Sequence, residues 1–87
     1  MANIHSQKKR NQRTERERQE NRRRVSRVRT YFRRLRTALY QGDEERAGAE
    51  HAELISAIDK AVKSGALHRN NGARKKARAA RLRGRIS

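Results

Sequence analysis

Five large apolar residues, Val25, Val28, Phe32, Leu35 and Leu39, recur at alternating steps of three and four, the spacing that keeps side chains on one narrow stripe of an α-helix. This stripe constrains the fold most, because a hydrophobic content of 32% leaves few other residues able to build a core. A single striped helix must be covered by another element. The stripe stops at Tyr40-Gln41-Gly42-Asp43, where Gly42 suits the left-handed conformation that closes a helix and Asp43 suits the cap of the next. Glu44 and Glu45 then fall in a first turn, against the positive end of the helix dipole. Ala47, His51, Leu54, Ile55, Ile58, Ala61 and Val62 share one face of this second helix, which closes at Ser64-Gly65. So short a turn requires the two helices to pack antiparallel.

The sequence has no proline and only five glycines, so strong helix breakers are rare. A third helix is predicted to open at Asn70 or Asn71, both good caps, and to run to about Arg85. Ala73, Ala77, Ala80 and Gly84 are expected along its inner side, where small residues permit close approach but add little apolar area. Gly72 and Gly84 each cost about 1 kcal/mol of helix propensity relative to alanine, so the ends of this helix are expected to fray. The large core candidates are Val25, Val28, Phe32, Leu35, Leu39, Leu54, Ile55, Ile58, Val62 and Leu67. Burying each stabilises by about 1.5–3 kcal/mol, which describes a marginal domain whose full order depends on a partner of the folded form. Residues 1–20 show no apolar periodicity and are expected to lack fixed structure alone, becoming helical where a polyanion screens their charge. The expected architecture is all-α: one domain, an antiparallel three-helix bundle with a long, N-terminally extended first helix, in which 21–87 form the bundle and 1–20 a basic arm or helix extension.

Charge is unevenly spread. Residues 1–40 hold fourteen Lys and Arg against three acids, 41–66 hold three against six, and 67–87 hold eight against none, for a net +16. Such crowding is self-repulsive unless a polyanion neutralises it, and nucleic acid is the expected partner. A membrane surface fits less well, because aromatic content is 3% and Trp is absent. No stretch approaches the roughly 20 apolar residues that span a bilayer, and the N-terminus lacks a signal peptide's apolar core, so an intracellular protein is expected. The acids at 15, 17 and 20 also speak against a transit peptide. Zero Cys excludes disulfides and cysteine-based zinc fingers.

On the first helix, Arg22, Arg29, Arg33 and Arg36 lie on one flank of the stripe, with Arg23, Arg27 and Arg34 behind; on the third, Arg74, Arg78, Arg81 and Arg85 form a similar row. Guanidinium forks suit bidentate phosphate contacts, and the two rows are expected to grip phosphates of separate strands. Solvation alone would mix Glu with Lys. The basic stretch Glu20-Asn21-Arg22-Arg23-Arg24 invites comparison with a leucine-zipper basic region, but the apolar repeat ends after little more than two heptads. Composition alone leaves a nucleoid-packing role open. His5, His51 and His68 are scattered without metal-ligand spacing, so no metal is expected. His51 is expected on or beside the core face, and His68 either in a turn hydrogen bond or against a phosphate or base. Helix capping accounts for Asp43, Glu44 and Glu45. No Gly-rich phosphate loop, nucleophile elbow or catalytic carboxylate pair is present, so no enzyme activity, cofactor or small-molecule substrate is expected.

The opening Met-Ala-Asn-Ile-His-Ser-Gln-Lys-Lys-Arg resembles the start of the family of bacterial small-subunit ribosomal proteins numbered twenty in their series. The resemblance continues through Asn21, Arg24, Ser26, Arg29, Thr30 and the Arg33-Arg34 pair. It returns at Gly65-Ala66-Leu67-His68-Arg69-Asn70, Ala73-Arg74 and Lys76-Ala77. It implies a three-helix bundle with an extended first helix that binds small-subunit (16S) rRNA on the cytoplasmic ribosome, tying separate rRNA segments together early in assembly, with neighbouring ribosomal proteins as further contacts. It further implies rRNA contacts at Asn3, Ser6, Lys8, Lys9 and Arg10, at Asn21, Arg24, Arg29, Arg33 and Arg34, and at His68, Arg69, Asn70 and Arg74. The basic rows add Arg13, Arg22, Arg23, Arg27, Arg36, Lys75, Arg78 and Arg81. The chain departs from the family pattern in its Arg-Arg pair where Lys is common, in Asn71 for a frequent Lys, and in Gly72 for a better helix former.

Overall fold

A computed structural model describes the backbone of residues 4–86 and the side chains of residues 12–85. Among these residues there are three helices and no strand: α1 (Ile4–Tyr40), α2 (Glu44–Lys63) and α3 (Arg69–Ile86). The all-α bundle expected from the sequence is the observed fold. Because α1 is much longer than its partners, the molecule is a rod of 62 × 21 × 13 Å.

The α1–α2 turn forms as its residues dictate. Gly42 takes φ 72°, its N–H donates to the Leu39 carbonyl at 3.1 Å, and the Asp43 N–H donates to the Ala38 carbonyl at 3.1 Å. The Asp43 carboxylate then accepts the Arg46 N–H at 3.0 Å and caps α2. With the direction reversed, the α1 stripe meets the α2 face, and Val28, Leu35, Leu54 and Ile58 become fully buried. Leu39 and Leu67 close the core, Val25, Phe32 and Val62 pack against it, and Ile55 is half-buried. Five alanines (Ala38, Ala47, Ala57, Ala61 and Ala79) are buried too, so much of the packing is helix backbone against helix backbone.

Two expectations for α3 need correction. Its first residue is Arg69, and the cap is His68, whose Nδ1 accepts the Asn70 N–H at 3.1 Å. Asn70 and Asn71 lie inside the first turn instead of capping it. The inner face is also turned from the one expected: Ala73, Ala77, Ala80 and Gly84 are exposed, while Gly72 and Ala79 are buried and Lys75, Lys76 and Leu82 are half-buried. Closeness of approach decides this orientation. A Cβ built on Gly72 would lie 2.5 Å from Val62 Cγ2, so α2 and α3 touch where one of them has no side chain.

The N-terminal extension of the first helix expected from the sequence is present among the described residues. Residues 4–20 continue the helix without a break, although every described side chain from Gln12 to Glu20 is exposed and no other helix covers them. With no Pro or Gly in this stretch nothing interrupts the hydrogen-bond ladder started in the bundle, and Glu20 and Arg24 add an i,i+4 pair at 3.9 Å.

Candidate nucleic-acid interface

The core fixes the rotation of α1, and that rotation decides which of its arginines reach solvent. Arg22, Arg23, Arg27, Arg29, Arg33, Arg34 and Arg36 are all exposed, as are Arg69, Arg74, Arg78 and Arg81 on α3, and none of them pairs with a carboxylate. Leaving so many like charges unpaired costs self-repulsion in the free chain, which a bound polyanion removes.

The helices bring these groups together in three places. At the far end of the bundle, Arg36 of α1 and Arg78, Arg81 and Arg85 of α3 line one groove over Phe32 and Leu82, with no acid among the lining residues. The Arg78 guanidinium stands 5.6 Å from the centre of the Phe32 ring, a cation–π arrangement that steadies its fork. On the other side of α1, Arg23, Arg27 and Arg34, with Arg22 at the edge, line a groove with Tyr31, and Arg34 lies 5.6 Å from that ring's centre. A third groove runs along the middle of α1, where Arg18, Asn21, Arg22, Val25, Ser26 and Arg29 face Ala66 of the α2–α3 turn.

Not every basic residue is available. Arg24 is half-buried, pairs with Glu20 and donates to the Asn21 side-chain oxygen at 3.5 Å. Lys75 is half-buried, and Lys76 is tied to Asp59 of α2 by an ion pair. Arg83 turns inward and donates to His51 Nδ1 at 3.1 Å. Burial first, and Arg83 second, hold the His51 pKa below the ordinary histidine value.

His68 is exposed and uses Nδ1 as an acceptor for the cap, so its proton sits on Nε2, which remains a donor for an external group. The turn hydrogen bond and an outside contact are therefore compatible. Arg13 and Asn70 are exposed and Asn21 is half-buried. Asn3, and the side chains of Ser6, Lys8, Lys9 and Arg10, lie outside the described residues. Sequence reasoning missed the inward turn of Arg83 and the core role of Leu82. Leu82 carried the usable signal: stepping back from it by three, seven and ten residues reaches Ala79, Lys75 and Gly72, the face that packs.

Among the described residues no group of three or more His, Cys, Asp or Glu is placed to hold a metal, and no helix is long and apolar enough to cross a membrane. What remains is a helical rod with exposed arginine rows. Residues 2–83 match the family described as ribosomal protein S20. The chain belongs to that family. Among its relatives, the small ribosomal subunit protein bS20 of Koribacter versatilis is 45% identical over 78 residues, covering 90% of this chain and 88% of that protein. The bS20 protein of Corynebacterium diphtheriae is 47% identical over 76 residues, covering 87% of each. That of Prochlorococcus marinus is 48% identical over 85 residues, covering 90% of this chain and 85% of that protein. The resemblance carried by the first ten residues and the Gly65–Asn70 stretch is thus a family membership, and this ribosomal family is structural, not enzymatic.

Proposed function

We propose that this member of the ribosomal protein S20 family binds small-subunit (16S) rRNA directly and holds separate segments of it together during assembly. As part of that family the chain is a structural component of the small ribosomal subunit and works on the ribosome in the cytoplasm. One observation carries the finer reading: exposed arginines without carboxylate partners line α1 and α3, while six of the nine acids lie on α2 and its cap. RNA phosphates supply the missing counter-charge, and folded RNA brings several strands within reach of one rod.

In this reading the phosphate contacts come from Arg22, Arg23, Arg27, Arg29, Arg33, Arg34 and Arg36 of α1 and from Arg69, Arg74, Arg78 and Arg81 of α3. Arg13 and the basic N-terminal residues extend the grip along the single helix beyond the bundle. His68, through Nε2–H, and Asn21 and Asn70, through their amides, supply neutral hydrogen bonds near the α2–α3 turn. Lys75 and Arg24 contribute less, since each is half-buried. The whole acts as one domain, a bundle with a helical arm.

Titrating the chain with small-subunit rRNA over a range of salt tests this directly. Neutralising some six to ten phosphates gives a log–log salt slope of about −5 to −8, with about 0.7–0.9 counterions released per contact. A slope near −1 would reject the multi-phosphate grip, and equal or tighter binding to duplex DNA would reject the choice of RNA.

A further inference from the structure

The arginines of α1 are divided into two flanks by an uncharged spine. Ser26, Thr30 and Thr37 lie between them on the exposed back of the helix. The Thr30 hydroxyl donates to the Ser26 carbonyl at 3.0 Å, and the Thr37 hydroxyl donates to the Arg33 carbonyl at 3.0 Å. Both hydroxyl protons are thereby committed to the helix itself and unavailable to a phosphate. At about 100° per residue, the centre of the Arg22, Arg29, Arg33 and Arg36 flank lies about 130° from that of the Arg23, Arg27 and Arg34 flank.

Each flank has a different wall. The first reaches α3 through Arg36, which meets Arg78, Arg81 and Arg85 over Phe32 with no acid between them, while its Arg22 and Arg29 face Ala66 of the α2–α3 turn. The second leans toward α2: Arg27 and Tyr31 line a groove with Ser56 and Lys60, but also with Glu53. The basic row of α3 is therefore not a separate jaw. It completes the first flank of α1, so that four guanidinium groups converge on whatever enters that groove.

We infer that the two flanks of α1 act as two jaws that each hold one rRNA segment: one segment lies in the α1–α3 groove, and another lies against Arg23, Arg27 and Arg34 on the α2 side. This rests on the chain being an rRNA-binding protein. Four converging arginines with no carboxylate call for closely spaced phosphates of one segment, because phosphates of two segments brought into one narrow groove would repel each other. The second flank, bordered by Glu53, holds its segment less tightly and releases it at lower salt. α1 serves as the fixed spacer between the segments, and its rotation, set by the core, fixes the angle at which they are held.

The experiment uses the full-length chain, a transcript of small-subunit rRNA, and hydroxyl-radical cleavage to map protected backbone. Arg81→Gln/Arg85→Gln weakens the first jaw and Arg23→Gln/Arg27→Gln the second; all four residues are exposed and none stacks on a ring, so circular dichroism should be unchanged. Each double variant should lose one distinct set of protections and keep the other. Each should bind about tenfold more weakly and lower the salt slope by about two. Raising salt on the unsubstituted chain should release the second set first. Loss of the same protections in both variants, or of none in either, overturns the two-flank arrangement. Should the unsubstituted chain protect no small-subunit rRNA at all, the rRNA-binding reading fails first and this inference falls with it.

Discussion

α2 and α3 pack on the same long helix with very different means. α2 buries Leu54 and Ile58 completely, together with Ala47, Ala57 and Ala61, and turns its acids outward except the half-buried Glu50. α3 buries only Gly72 and Ala79, half-buries Leu82, and turns five arginines outward. A helix dense in arginine has few positions left for large apolar residues, so α3 is held by closeness to its neighbour more than by area. α2 carries almost no binding charge and supplies much of the core. Core area and exposed positive charge thus reside on different helices, and α1 carries both.

The largest expected effect tests that division at its centre. Leu54→Ala removes a fully buried side chain and should destabilise the bundle by about 2–5 kcal/mol. Leu82→Ala, which removes a half-buried side chain, should cost about 1 kcal/mol, less than the full burial of a leucine is worth. Urea or thermal denaturation followed by circular dichroism gives both values. Equal losses would show that α3 contributes as much core as α2, and the contrast between them would be gone.

The next effect concerns the close approach itself. Gly72→Ala gains about 1 kcal/mol of helix propensity, but its Cβ would meet Val62 Cγ2 at 2.5 Å and Ile58 Cγ2 at 3.4 Å. Valine is stiff at χ1 and cannot swing aside, so the helices must separate, at a cost of about 1–3 kcal/mol from overpacking. The expected outcome is a net loss of stability. In a Val62→Ala background the same substitution should become neutral or stabilising, and a double-mutant cycle measures the coupling. A Gly72→Ala chain that melted higher than the parent would mean that α3 is not seated against α2 at this point.

These cases also show where the sequence was readable. The α1 stripe and the Gly42-Asp43 turn were legible because each depends on local rules, a three-four spacing in one case and a left-handed glycine beside a capping carboxylate in the other. The face of α3 was not, because alanine fits inside or outside equally well. Choosing Ala80 over Ala79 as the core residue rotates the helix by about 100°. The evidence for the right choice lay in another helix, at Val62. The exposed arginines followed directly from charge placed beside an apolar stripe. Their grouping did not: Arg36 meets Arg81 and Arg85 only because α3 returns along α1, and Arg83 faces His51 only because α3 sits one residue round from the orientation its alanines suggested. The extension of α1 was legible without any apolar pattern, because a helix needs only the absence of breakers and a folded neighbour to extend from.

The smallest expected effect lies at the seam between α2 and α3, and it depends on pH. Arg83 can only donate, so His51 Nδ1 accepts and the imidazole proton sits on Nε2, which is buried without a partner. Protonating His51 would place a second proton on Nδ1, break the contact and set a cation against the Arg83 guanidinium. Burial, and then Arg83, accordingly lower the folded-state pKa, whereas in the unfolded chain His51 titrates at about 6.5. The sign follows from proton uptake. Above that pH His51 is neutral in both states and costs nothing; as pH falls through it, the unfolded chain binds the proton first and the bundle loses stability until the lowered folded value is passed. Melting temperature should therefore decline between pH 7 and pH 5, and His51→Gln, which cannot titrate, should flatten part of that decline. His68 does not share this seam: it is exposed beside the start of α3, so His68→Gln should leave the slope in place. A decline unchanged in the His51→Gln chain would detach the pH response from the α2–α3 contact and leave Arg83 as no more than a packing residue.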